Sequence, residues 1–499
     1  MSTYSSSGSS RAAFPGPYAR KISLTSKPNM AIHIDNHYRS KVYTTSSEVS
    51  GHVDISPAND VRFDTLQILL LGTSRTRVDA VSIPQATSHT FLKLTMPIPE
   101  SSYPVPRVFE TGRTYKVPFN FVIPSHLTLN ACNHKVCNDS VQEHHVRLPP
   151  SVGGWEKDDF APNMSRVNYC IKARVLRDEE VGAPAVKVME EGKEIKVLPA
   201  VPEDAPLNVT AQDKLYTMSR SKTLRKSILS AKSGKVTVSA NQPAPAMMTP
   251  DGHSVSPTTA QLDLEFEPTS SNESQPPRVT GVTAKVMAVS FYSAGPINHY
   301  PNLKDWARGF GAEGRGCYTG SVSLGATAPV GKVAWKQHLT CQARRDSGYC
   351  TDDTDQTVES PRIASPAGNS NKKHSSKTSP YYHTTSLQIP IRLPTAKRQF
   401  IPTFHSCITS RVYVLALTVS LSSGSGSTNG SVTLELPLQI GVDVLAAPRV
   451  DPSGLPSFEA AMEDAAVDEL LRPRVLGLGR LAGGEVLPGY ARRDGVAVR

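Results

Sequence analysis

The chain has 499 residues, 38% of them hydrophobic and 20% charged, with 40 prolines and 33 glycines. That is enough apolar material for real cores, diluted by loop and tail, and at ~150 residues per domain it allows about three domains or two large β domains. Aromatic residues make up only 6%, which argues against an aromatic ligand floor, and the net charge of +10 suits nucleic acid, anionic lipid or acidic peptide. No RNP, zinc-finger or basic-zipper signature accompanies the charge, so nucleic acid is not an expected partner.

Residues 1–27 are Ser-rich and basic without an apolar core, which reads as a disordered tail and not a secretory signal. Pro15 and Pro17 would break the amphipathic helix of a transit peptide. From Ala31 the pattern turns to β: AIHIDN, KVYTTSSEVSGHVDI, VRFDTLQILLLG, HTFLKLTMPI and TYKVPFNFVIP alternate apolar and polar residues. A polar loop from Cys132 to Pro150 follows, and then SRVNYCIKARVLR resumes the alternation. Strands at this spacing suggest a sandwich.

The Pro-rich LPAVPEDAPLNV from Leu198 reads as a hinge, and MSRSKTLRKSILSAKSGK after it is dense in Lys, Arg, Ser and Thr. A second β set begins at KVTVSA and runs through QLDLEFEP, VTGVTAKVMAVSFYS, CYTGSVSLG, SLQIPIRLP, RVYVLALTVSL and VTLELPLQIGV. A polar stretch from Thr351 to Thr385 interrupts it and is expected to be a disordered insertion. Past Ala447 the β pattern stops. Ser457 could cap one short helix before Pro473, and a Gly-rich tail runs on to Leu487-Pro488-Gly489-Tyr490.

The longest apolar stretch, from Val412, is too short to span a bilayer. Seven cysteines in irregular spacing suggest reduced thiols. Together these features read as a soluble intracellular protein.

FETGRTYKVPFNFVIPSHL in the first half resembles the signature of an arrestin N-terminal domain: a glycine turn, a strand ending in Pro-Phe, then a hydrophobic run into Pro and Leu. SLQIPIRLPTAKRQFIPTFHSCITSRVYVLALTVSL, followed by LELPLQI, resembles the arrestin C-terminal domain, with an apolar strand, a Pro-bearing turn, an aromatic-containing strand and a final strand in that order. HHVRLPPSVGGWEKDDFAPNMSRVNYCIKARV further resembles the α-arrestin branch of filamentous fungi, the arrestin-related trafficking adaptors. The resemblance implies an all-β fold of two tandem arrestin-type sandwiches, at 28–200 and 201–446, with a tail at 447–499. It also implies a non-catalytic adaptor that joins a WW-domain HECT ubiquitin ligase to transporters or receptors and promotes their ubiquitination and endocytosis. Such an adaptor would be cytoplasmic and recruited to plasma membrane and endosomes. The alternative of the same fold is an endosomal or pH-sensing scaffold that works without a ligase.

Candidate chemistry is sparse. Gly309 to Gly316 formally matches GxGxxG, but a dinucleotide fingerprint needs a helix after it and CYTGSVSLG is β-like, so this is read as a loop entering a strand. CNHKVCNDSVQEHH offers Cys132, His134, Cys137, His144 and His145, all zinc-compatible types, at a spacing that matches no common finger. It is read as a solvated inter-strand loop. If metal bound there it would staple the loop and not catalyse. The pairs Asp158-Asp159 and Asp352-Asp353 sit in polar segments and are read as solvated.

No nucleophile elbow, Walker loop or HExxH appears, so a non-enzyme without cofactor is expected, with a metal- or nucleotide-dependent enzyme as the remote alternative. Arg220, Lys222, Arg225 and Lys226 form a basic segment interleaved with Ser219, Ser221, Thr223 and Ser227. It is read either as a patch for anionic membrane, weakened by phosphorylation, or as a plain linker arm. In the tail, Leu487, Pro488, Gly489 and Tyr490 form an LPxY motif of the kind an aromatic WW groove reads. Leu487 replaces the first Pro of the preferred motif and Arg492 and Arg493 follow, both of which lower the expected affinity. Ser379-Pro380-Tyr381-Tyr382 is a weaker half-match.

Overall fold

The computed structural model describes residues 29–79, 84–178, 185–210, 213–225, 232–269, 275–302, 306, 314–327, 333–339, 381–422 and 430–444. The first half contains β1 (Met30–Ile34), β2 (Val42–Tyr43), β3 (Glu48–Ile55), β4 (Val61–Arg62) and β5 (Thr65–Val78). It continues with β6 (Gln85–Thr95), β7 (Val108–Phe109), β8 (Tyr115–Val122), helix α1 (Asp139–Val146), β9 (Ser165–Arg177) and β10 (Val186–Val197). The strands lie in two main sheets, ordered β1-β3-β8 and β2-β10-β9-β5-β6, with β4 and β7 as a minor pair. Alternation decides which side chains go inside. β8 buries Val117, Phe119 and Phe121, while β9 buries Val167, Tyr169, Ile171, Ala173 and Val175. These two sets share one core.

The second half contains β11 (Ser219–Arg225), β12 (Lys232–Ala240), β13 (Ala246–Met248), β14 (Thr258–Pro268), β15 (Arg278–Ser293) and β16 (Arg315–Thr327). After these come β17 (Lys336–Leu339), β18 (Tyr381–Ile391), β19 (Phe404–His405), β20 (Thr409–Ser422), β21 (Gly430–Leu438) and β22 (Ile440–Val442). One sheet is ordered β11-β12-β14-β18-β17 and the other β16-β15-β20, with both β19 and β21 pairing on β20; β13 and β22 form a short parallel pair. Val236, Val238, Leu262, Leu264 and Phe266 of the first sheet share a core with Val282, Val286, Leu415, Leu417 and Val419 of the second. The described body is therefore all-β sheet-on-sheet structure.

β15 and β20 depart from simple alternation. Ala288–Ser293 and Thr409–Leu415 are buried on both faces, because Leu215, Tyr216, Ile297 and Trp306 cover the outer side of these strands. A strand covered on both sides reads as a continuous apolar run, which is how VYVLAL looks.

The two halves are joined and not merely strung together; the described residues of both cluster as one compact unit. Ile401, Phe404, Cys407 and Ile408 belong to the core of the first half, and Phe160 and Leu198 to that of the second. The Pro-rich segment expected as a hinge is tied down. Val201 pairs with Val442, and the Gln439 side chain donates to the Ala205 carbonyl at 3.1 Å. Proline removes backbone donors without preventing such side-chain ties.

Candidate functional site

The polar loop after β8 is built around α1, which the sequence reading passed over. Asn138 caps it, its side chain accepting from the Val141 N–H at 2.9 Å. The helix buries Val141, His145 and Val146 and so turns its last turn toward the protein. Upstream, a 3-10 turn at Leu129–Ala131 carries the chain into Cys132 and His134. From the other half, the tight turn between β19 and β20 presents Cys407. That turn is held by Ser406 N–H donating to the Thr409 carbonyl at 2.9 Å, and the Cys407 carbonyl accepts from Ile297 N–H at 2.8 Å.

These three segments bring Cys132, His134, His145 and Cys407 together, with one ligand atom from each lying within 4.8 Å of all the others. Cys132 Sγ is 3.5 Å from His134 Nε2 and 3.6 Å from His145 Nδ1. Cys132, His145 and Cys407 are buried. Burial, with the neighbouring charges of His134, His144 and His89, lowers His145 to about 4. Burial beside Cys132 pushes the Cys407 thiol up to about 12. Two thiols and two imidazoles converging in a dry place form a donor set suited to a soft or borderline divalent ion.

Three of the five ligands considered from sequence, Cys132, His134 and His145, meet here. Cys137 is exposed, and its backbone N–H is tied to the Asn298 carbonyl at 2.9 Å. His144 faces the other way around the helix, because adjacent helical residues diverge by about 100°. Its Nδ1 lies 2.8 Å from both the Ser140 carbonyl and the Tyr300 hydroxyl, and its Nε2 is 3.5 Å from Asp204. Asp204 also takes Arg147 at 2.7 Å. Burial would raise the Asp204 carboxyl, but hydrogen bonds from His144 and Arg147 outweigh it and hold it at about 2. Cys407, some 260 residues away in sequence, could not be found by spacing.

The basic segment is not a linker arm over the described part: Ser219–Arg225 is the outer strand β11, paired with β12. Arg220, Lys222 and Arg225 lie on it among exposed residues, with only Leu224 buried. Lys222 donates to the Ser431 carbonyl at 3.1 Å, which ties β11 back onto β21. Lys226 lies outside the described residues.

Of the glycine-rich string, Gly314 has φ +96° and the chain enters β16 directly, so the next described element is a strand and not a helix. Asp159, read as solvated, is buried. Its carboxylate accepts from Gly153 N–H at 2.7 Å and Ala161 N–H at 3.1 Å. Gly153 and Gly154, both at positive φ, let the backbone turn its donor onto that carboxylate. Asp158 pairs with Arg398 across the two halves. Tyr381 and Tyr382 begin β18, Tyr382 stacking on His338 at 5.0 Å, so these tyrosines sit in a paired strand. Asp352-Asp353, the short helix after Ser457 and Leu487-Pro488-Gly489-Tyr490 lie outside the described residues. No protein-family model matches the chain, and no curated protein matches it in sequence.

Proposed function

We propose that this chain is a non-catalytic adaptor that holds the cytosolic tail of a membrane transporter or receptor and brings a WW-domain HECT ubiquitin ligase to it. The observation that carries this reading is the placement of the segments that resemble arrestins. Gly112 turns at φ +76° into β8, which carries Pro118-Phe119 and leads into Pro124 and the buried Leu127. In the second half the segments that carry the resemblance fall on β18, a Pro-bearing turn, the short β19 with β20, and β21. An all-β body of joined sheets offers rigid faces and strand edges. β6, outermost in its sheet and largely exposed, is the kind of edge to which a peptide strand can add.

In this reading the LPGY tail supplies the ligase contact. Two weak contacts on one chain raise the effective concentration of ligase near cargo, so the adaptor needs no chemistry of its own. The basic strand β11 would favour acidic tails or an anionic leaflet. No helix among the described residues is long and apolar enough to cross a membrane, and recruitment to plasma membrane or endosomes would come through cargo.

The test is titration of the labelled full-length chain with isolated WW domains beside a Tyr490→Ala variant. Binding that disappears in the variant supports the ligase adaptor. Absence of binding to every WW domain removes the ubiquitin step and leaves a sorting or signalling scaffold.

A further inference from the structure

We propose that Cys132, His134, His145 and Cys407 bind one structural zinc ion that clamps the α1 loop of the first half to the β19–β20 turn of the second. This goes beyond the adaptor reading and does not depend on it.

The argument begins with the geometry. For a tetrahedral zinc with Zn–S ≈ 2.3 Å and Zn–N ≈ 2.05 Å, the sulfur-to-nitrogen edge comes to about 3.6 Å. The two such edges available from Cys132 Sγ are 3.5 Å and 3.6 Å. The remaining pairs of ligand atoms also fall within 4.8 Å. His134 uses Nε2 toward the cluster, and its Nδ1 lies 3.3 Å from the Lys135 carbonyl. That contact fixes the tautomer in which Nε2 carries the free lone pair, as outer partners of zinc-bound histidines do. The rings of His134 and His145 are 5.3 Å apart and inclined by 48°, so both can address one centre without stacking.

The surroundings support the same conclusion. The donors are delivered by a 3-10 turn, a capped helix and a tight turn, none of them a mobile arm. Four protein ligands fill a tetrahedron, so no position remains for water or substrate, which makes the site structural. Binding would release the two thiol protons and give the buried Cys132, His145 and Cys407 a shared partner beside the part-exposed His134. Because Cys407 sits on the second half, removing the ion would loosen the junction of the halves.

The alternative that fits the same atoms is a Cys132–Cys407 disulfide with two bystander histidines. Purified full-length chain, prepared without chelator or oxidant, separates the two. The expected result is stoichiometric zinc by mass spectrometry, lost in Cys407→Ser and His145→Ala but kept in Cys137→Ser and His144→Ala.

Cobalt titration of chelator-stripped wild type gives an answer that survives misfolding of any variant. A thiolate-to-cobalt charge-transfer band should grow to saturation and be displaced by zinc, and chelation should lower the thermal midpoint. A folded chain that takes up neither zinc nor cobalt, or peptide mapping that recovers the Cys132–Cys407 disulfide, overturns the proposal. Loss of zinc in Cys137→Ser or His144→Ala overturns this ligand set.

Discussion

Arg411 heads the largest side chains that the described body buries completely, at 1% exposure. Its guanidinium donates from Nε to Ser290 Oγ at 2.9 Å, and from its two terminal nitrogens to the Asp159 and Phe160 carbonyls at 2.8 and 3.2 Å. Those carbonyls belong to the first half and the arginine to the second, so a single side chain saturates acceptors that neither half could satisfy alone. Arg411→Met keeps the apolar stem and leaves the acceptors dry. At ~1–3 kcal/mol for each buried group left unpaired, the expected loss is about 3 kcal/mol, read as a fall in the urea midpoint. Arg411→Lys should recover only part, because an ammonium cannot span the fork.

Glu190 makes a different kind of residue-scale prediction. It meets Lys172 at 2.7 Å, Lys187 at 2.9 Å and Arg174 at 3.0 Å on the outer face of β9 and β10. Burial would raise its carboxyl, but the hydrogen bonds from Lys172 and Lys187 and the Arg174 charge win and hold it at about 2 against an ordinary 4.5. A carboxyl depressed in the folded state stabilises above its unfolded value, and that contribution is lost as pH falls through the folded one. Stability should therefore fall between 4.5 and about 2, and the Glu190→Gln profile should be flatter across that window. Equal slopes for wild type and variant in denaturant titrations would contradict the assignment.

At the scale of elements, α1 depends on its cap. Asn138→Ala should cost about 1 kcal/mol and Asn138→Asp almost nothing, measured by chemical denaturation. The helix was hidden in the sequence because eight residues with two adjacent histidines show no apolar stripe. The readable sign was Asn138 followed by Asp139 at the first turn.

β11 was hidden for the opposite reason. SRSKTLR buries only Leu224, so no alternation betrays a strand and pairing with β12 alone makes it one. β5, β8, β9 and β14 were legible because each must put alternate side chains into a core, and that demand writes itself into the residue order. β18 starts at Tyr381, inside the stretch read as an insertion, since Tyr-Tyr-His-Thr-Thr is polar enough to pass for a loop. Of the Cys/His cluster, Cys132 and His134 could be picked out locally. The choice of His145 over His144 needed the helix phase, and Cys407 needed the tertiary fold.

At the scale of the whole molecule, hydrogen bonds as well as apolar contacts cross the seam between the halves. Thr76 and Thr87 donate to the Ser293 and Ala294 carbonyls, each at 2.6 Å, and the Ser165 and Thr409 hydroxyls meet at 2.8 Å. Such bonds demand fixed geometry, and side chains of each half complete the core of the other. Residues 29–444 should therefore unfold in a single calorimetric step, with the van't Hoff enthalpy equal to the calorimetric one. Two resolved transitions would show that the halves melt independently.

The β19–β20 turn also has a bearing on synthesis. Ile401, Phe404 and Ile408 fill the core of strands that leave the ribosome about 200 residues earlier. At ~5–20 residues per second, the nascent first half waits on the order of ten seconds or more with that seat open. During that interval it exposes an apolar hollow of its own making. Chaperone engagement is thus expected to end when the chain beyond residue 408 emerges, and not when the first ten strands are complete.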